Sequence, residues 1–512
     1  MKSVIITGAS VLAIALATPA MAQDNTSNVV QTGTNATATV DQIGANDSSS
    51  ISQGGDLNVA DVNQNGIAGS DSQIDQSGNG NLATVNQDDD GTDLGGVAPP
   101  LNLSSIDQSG DNNIATVTQS TETLALRSES SVDQSGSNNY AEVTQLDDWQ
   151  DSVVVQTSDG NIATVAQGVD QDGTDTSYGN DSAVFQGGTG LHTANVTQFS
   201  RGNDSFIDQS GEANTANVSQ SGGDGSDSTI FQSGTNGLAN VTQTGGFESS
   251  TINQSAFGNV GIVNQTGGSN TSDIMQDADF NEAYVDQTGS GNNSSILQSS
   301  DEGVGITGGQ IGDVVPVYPS SSTSFAEVNQ SGDNNVSGID FDGASNFALI
   351  RQSGDGNFSN AVATGDSTFA FVEQIGDQNI SNIDQSGFLD NFSLLTKVTQ
   401  IGDFNESNLT QTGSFANATV LQEGNDGLSN IFQGGNSNTA DLYQLGNENE
   451  SMIEQTGDNN LADVDQLGNG NMSSILQPGS NNTATVLQSS DGNASNVNQG
   501  GSGNVATVTQ GM

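Results

Sequence analysis

Over the last quarter of the chain glutamine returns every eleven residues: Gln400, Gln411, Gln422, Gln433, Gln444, Gln455, Gln466, Gln477, Gln488, Gln499 and Gln510. The same step runs from Gln31 to Gln64, from Gln134 to Gln167 and from Gln254 to Gln298. So regular a tandem repeat restricts the chain to folds made by stacking one small unit. The unit reads Q-x-G-x-x-N-x-A/S-x-V/I-x-Q, with asparagine five positions after glutamine in most copies, including Asn449, Asn460, Asn471, Asn482, Asn493 and Asn504. Asn, Ala or Ser, Val or Ile, and Gln stand two residues apart, which puts all four on one face of a β-strand. Thr, Asp, Asn and Ser dominate the other face and suit water. The intervening x-G-x-x segments, such as SGDN and GGSG, hold residues that tolerate tight turns. Each unit is thus a strand of about seven residues and a turn of about four.

A slower alternation doubles the period. Ser27 lies four before Gln31, Ala38 before Gln42, Ser49 before Gln53 and Ala60 before Gln64. The phase survives interruption: Ser104 then Ala115 follow one insert, Ser130 then Ala141 another, and Gly261 and Thr396 merely occupy two Ala places. This makes 20 pairs of a Ser-strand and an Ala-strand between Ser27 and Gln510. A 22-residue unit of strand, turn, strand, turn is one rung of a flattened two-sheet β-solenoid, an all-β fold with Ser-strands in one wall and Ala-strands in the other. Ile453, Val464, Ile475, Val486, Val497 and Val508 are its expected apolar core near the C-terminus.

Composition alone would suggest something else. Only 31% of the 512 residues are hydrophobic and the formal charge is −56, close to the signature of disorder. A disordered acidic polymer has no reason to keep a registered Ser/Ala phase, so the repeat fold is the better reading. The first 22 residues stand apart: Lys2, an apolar run and Ala20-Met21-Ala22 form a secretory signal peptide, with cleavage expected between Ala22 and Gln23. Residues 23–512 are expected to form one continuous solenoid, soluble once exported, with no later membrane span. Loop inserts are expected near 88–103, 120–129, 168–180 and 299–322. The last contains Pro316 and Pro319, which do not fit inside a paired strand.

The glutamine beat has a physical reason. A buried amide without partners costs about 1–3 kcal/mol, and a single rung cannot satisfy it. A column of identical amides can, each donating to one neighbour and accepting from the other. Carboxylates in that column would repel by about 3–4 kcal/mol at rung spacing and an effective dielectric of 20. Acids sit instead on the adjoining outward places, as at Asp41, Asp75, Asp107, Asp133, Asp286 and Asp465. Phe341 and Ala363 are the clear departures from glutamine. Only a few residues flank the first and last rungs, so both ends are expected to expose strands that template further strands.

Other chemistries find little support. The chain has no cysteine and one histidine, His192, so His/Cys metal sites and Ser/His or Cys/His nucleophiles are not expected. No catalysis and no cofactor is the reading. After the signal, the cations are Arg127, Arg201, Arg351 and Lys397, too few for nucleic acid or an anionic membrane. Gly222–Ile230 imitates a calcium repeat once, and Gln87–Asp93 is an acidic loop. Loose binding of divalent cations by stacked acids is the most these support.

The repeat resembles the curlin repeat of bacterial curli fibre subunits, and Asp458–Gln477, DNNLADVDQLGNGNMSSILQ, shows it well. The resemblance implies a structural subunit of extracellular amyloid fibres on the cell surface (a pilus), secreted through the periplasm, acting in adhesion and biofilm matrix. Its partners would be copies of itself, other curlin-like subunits and an outer-membrane secretion apparatus. It also implies that inward Ser, Gln and Asn form ladders along the fibre. Here Ser sits four before Gln instead of six, and the Gly-rich leader of the family's major subunit is not evident. The alternative is a secreted β-solenoid adhesin or surface protein that does not polymerise.

Overall fold

The computed structural model describes residues 24–66, 69–89, 102–121, 128–146, 149–168, 179–299, 324–386 and 394–511. The expected signal segment, with Ala22 and Gln23, lies outside them, as does most of each expected insert. Among the described residues forty strands follow one another from Thr26–Gln31 to Val505–Gln510, commonly six residues long. The chain divides into two compact units, residues 1–251 and 252–512, of the same construction. In each, Ser-strands pair with Ser-strands and Ala-strands with Ala-strands, always parallel. Ser72 stands against Ser104 and Ala83 against Ala115 in the first unit. Ser451 stands against Ser473 and Ala462 against Ala484 in the second. The fold is a parallel β-solenoid with a repeat of about 22 residues.

Alternation makes the core. In Leu461–Gln466 the even places, Ala462, Val464 and Gln466, are buried while Leu461 is exposed. Ile453, Val464, Ile475, Val486 and Val497 are all buried; Val508, on the last described strand, is half-buried. Most strands turn inward one small residue, usually Ala or Ser, and one larger aliphatic residue, as Ala462 and Val464 do, so the walls meet largely through a single Val, Ile or Leu per strand.

The inserts leave the register untouched. Leu82–Asp89 pairs residue for residue with Ile114–Thr121, and Glu282 pairs with Phe325 across the longest insert. Loop closure grows only slowly in cost with loop length, so stacking wins. Strands Leu82–Asp89 and Ile114–Thr121 run on into the first residues expected of two inserts.

The turns owe their shape to the residue four after glutamine, which takes a left-handed backbone: φ is +56° at Asn35, +62° at Leu57 and +59° at Phe404. A side chain there costs about 1–2 kcal/mol, a recurring strain that the stacked rungs hold in place. No helix among the described residues is long and apolar enough to cross a membrane.

Candidate functional site

The inward amides are the chemical feature of this fold. Glutamines Gln400, Gln422, Gln444, Gln466, Gln488 and Gln510 form the Ala-wall column, each Nε2 donating to the next Oε1 at 2.8–2.9 Å. Gln411, Gln433, Gln455, Gln477 and Gln499 form the Ser-wall column at 2.8–2.9 Å. The second Nε2 hydrogen reaches across to the opposite wall: Gln466 donates to the Glu450 carbonyl at 3.0 Å and Gln488 to that of Met472 at 2.8 Å. Each glutamine therefore ties its rung to the next and one wall to the other. A hydrogen bond of this kind is worth about 1 kcal/mol net, and the column repeats it at every rung. The donors all point toward the C-terminal neighbour, which gives the columns a polarity.

The asparagines behave differently from the expected amide-to-amide ladder. The backbone N–H of Asn482 donates to Asn460 Oδ1 at 3.0 Å, and that of Asn504 to Asn482 Oδ1 at 2.9 Å. Asn471 and Asn493 continue the parallel column from Asn449 at 3.0 and 2.9 Å. The amide nitrogen goes to a turn carbonyl, as in Asn482 to Gly501 at 2.8 Å. With one methylene fewer than glutamine and a place beside the turn, asparagine caps backbone groups that the sheets leave unpaired. Amide-to-amide bonds do occur alongside these, from Asn357 to Asn335, Asn379 to Asn357 and Asn405 to Asn379, each at 3.1 Å, and from Asn493 to Asn471 and Asn504 to Asn482 at 3.1 and 3.0 Å.

The serine column implied by the resemblance is mostly not hydrogen-bonded. Buried hydroxyls such as those of Ser130, Ser152 and Ser182 have no partner, whereas Ser451 and Ser473 meet at 3.0 Å. Phe341 and Ala363 break the Ser-wall glutamine column, and the cost is visible: Gln385 Oε1, next in register to Ala363, is buried without a partner. Thr396, in an Ala place, repairs part of the damage by accepting from Gln385 and donating to Gln411.

His192 stands in an asparagine place and is fully buried. Its backbone N–H donates to Asn161 Oδ1 at 3.0 Å, and the Asn214 backbone N–H donates to its Nδ1 at 3.2 Å. Nε2 lies 2.8 Å from the Gly187 carbonyl, so the proton sits on Nε2 and Nδ1 keeps its lone pair. Burial, above all, holds this imidazole below its ordinary value of 6.5. Protonation would set N–H against N–H, costing a bond of about 1 kcal/mol or more. The outward acids act in the opposite sense. Asp151, Asp181, Asp204 and Asp227 stack in register, and burial, then Asp204 and Asp151, push Asp181 up to about 6. A raised carboxyl favours the fold below its ordinary 3.8 and loses that contribution as pH rises through about 6. A lowered histidine favours the fold above 6.5 and loses its contribution as pH falls below it. We expect His192→Asn to remove only the second effect. The stability gap between variant and wild type, from denaturant unfolding at each pH, should be constant above pH 7.5 and widen in favour of the variant below about 6.5. A gap that does not change with pH would show His192 to be silent.

One column escaped the sequence reading. At the turn tips the N–H of Asp355 donates to Asp377 Oδ1, that of Asp377 to Asp403, and that of Asp403 to Asn425, at 2.8–2.9 Å. Its signal is the Asp or Asn three places after glutamine, which reads as ordinary turn polarity until the rungs are stacked. Among the described residues no group of three or more His, Asp or Glu side chains comes together to hold a metal ion. Trp149 is exposed beside a rung end with φ +61°.

Parallel rungs, amide columns and small inward residues define a structural β-solenoid of repeats. A model of the curlin associated repeat matches residues 269–299, 424–457, 435–468, 446–479 and 457–489. These segments are similar to curlin repeats, and a repeat of that kind in a β-solenoid fits a structural protein. No curated relative matches the sequence.

Proposed function

We propose that this protein is a structural subunit of extracellular curli-type amyloid fibres, adding copies to itself by templated strand pairing and serving in adhesion and biofilm matrix. The observation that carries the reading is that successive rungs repeat their neighbour's backbone register and, outside the break at Phe341 and Ala363, its amide bonds, for instance Gln444 to Gln466 and Gln466 to Gln488, both 2.9 Å. A surface that pairs with its own repeat within a chain is complementary to the same repeat in another chain. Copies then join head to tail, because all the glutamine donors point one way, and a head-to-tail contact builds open filaments. Export through the signal segment and an outer-membrane apparatus, other curlin-like subunits as co-assembly partners, and loose attraction of divalent cations to the outer acids belong to the same proposal.

The test is seeded growth of the mature chain. Wild-type seeds should shorten the thioflavin lag, and fibres should give a meridional reflection near 4.7–4.8 Å. Gln488→Glu with Gln510→Glu should lengthen the lag far more than Asp465→Asn. A stable folded monomer that ignores seeds would favour the non-polymerising surface protein; equal lags for the two variants would sink the amide argument.

A further inference from the structure

The two walls of the first unit differ sharply in charge. Seven consecutive Ala-strands run from Leu82–Asp89 to Leu238–Gly246, and each turns three residues outward before its glutamine. Of these 21 residues only Glu142 is charged, and its carboxylate accepts from the Tyr140 hydroxyl at 2.6 Å. The seven Ser-strands of the same rungs carry ten carboxylates in the equivalent 21 places, in columns such as Asp75, Asp107, Asp133 and Asp151, Asp181, Asp204. Over these seven rungs the strand acids lie almost wholly on the Ser side, whereas the two preceding Ala-strands carry Asp41 and Asp61.

We propose that the Ala-wall face of the first unit is a lateral self-association surface, whose occupant is the same face of a second copy. Two acidic walls brought together repel, and a net charge of −56 leaves few other places where copies meet without that penalty. The face also has something to bury and little to dehydrate. Leu82, Ile114 and Ile162 are 38, 38 and 44% exposed and stand in one column with Tyr140. Beyond them Asn195 donates to Asn217 and Asn217 to Asn240, each at 2.7 Å, so these amides are partnered within the face. Seven rungs at about 4.8 Å by five strand residues at about 3.3 Å make roughly 34 by 17 Å. Two such faces bury just over ~1,000 Å², the lower bound of a specific interface. The contact is isologous, with its two-fold axis near Thr164 at the centre of the face. It is independent of end-to-end growth.

The absence of cysteine provides the test. In the full mature chain, Thr164→Cys places one thiol beside the axis, and Val153→Cys places one in the middle of the acidic wall. Under oxidised glutathione, two thiols giving one disulfide, Thr164→Cys should form covalent dimers and Val153→Cys should not. Sedimentation of the cysteine-free chain should show dimers that the pair Thr116→Asp and Thr164→Asp weakens by tenfold or more, while Ser105→Asp and Ser131→Asp on the acidic wall leave them intact. Circular dichroism checks that each variant is folded. A wild-type chain that stays monomeric, equal cross-linking of the two cysteine variants, or equal weakening by both aspartate pairs would overturn the proposal. Failure of seeded growth would not, since these readouts do not depend on fibre ends.

Discussion

Gln466→Glu should open the solenoid at its own rung while Asp465→Asn, one residue away, leaves it closed. Gln466 is fully buried; its Oε1 accepts from Gln444 at 2.9 Å, and its Nε2 donates to the Glu450 carbonyl and to Gln488 Oε1 at 3.0 and 2.9 Å. A carboxylate keeps the first bond and turns an acceptor toward two acceptors. Two bonds are lost and a charge is buried among uncharged amides, a combination that costs about 3–5 kcal/mol. The outward Asp465 is a surface change worth about 0.5 kcal/mol or less. Long repeat arrays open locally instead of in one transition, so the measurement is amide exchange over Leu461–Gln466 and its stacked neighbours. The defect should shrink on acidification, because a protonated carboxyl regains one donor, and it should return as pH rises above the ordinary glutamate range. Equal exchange in the two variants would mean that the column does not hold the rungs.

Gly78→Ala should be at least as damaging, for a reason unrelated to hydrogen-bond chemistry. A Cβ on Gly78 would fall on the Gly110 carbonyl oxygen of the next rung and 2.8 Å from the Ser109 carbonyl oxygen. That carbonyl of Gly110 cannot retreat freely, since it accepts from Asn81 Nδ2 at 2.8 Å. Backbone pressing on backbone has no flexible side chain to yield, and the expected cost is about 4 kcal/mol or more. Gly470→Ala is the control. Its φ is +63° and nothing lies within 4 Å of the added carbon, so only the left-handed backbone is penalised, at about 1–2 kcal/mol. Exchange near Gly78 and Gly110 should rise well above that near Gly470. Similar effects at both sites would refute the steric account.

Particular residues show where the sequence could be read and where it could not. The glutamines and the Ser/Ala phase were legible because a strand repeats every two residues and a rung every two strands; Ser72 against Ser104 follows from counting alone. The asparagine partners were not, because whether Asn482 bonds to an amide or to the Gly501 carbonyl depends on where the turn of the next rung places that carbonyl. Nor was the stacking of Asp151, Asp181 and Asp204 evident, since the residue just before each Ser place carries no repeat signal of its own. Each is a solvated acid when read singly, and a column of like charges once in register.

Local alternation, written in the order of residues, thus determined strands, walls, core and the amide rows, since side-chain direction in a strand needs no distant partner. Tertiary structure alone decided which backbone groups the asparagines cap, that most of the inward serine hydroxyls stay unpaired, and that seven stacked Ala-strands of the first unit form a face with a single charge. Those outcomes depend on distances between rungs, and such distances exist only after the chain has wound upon itself.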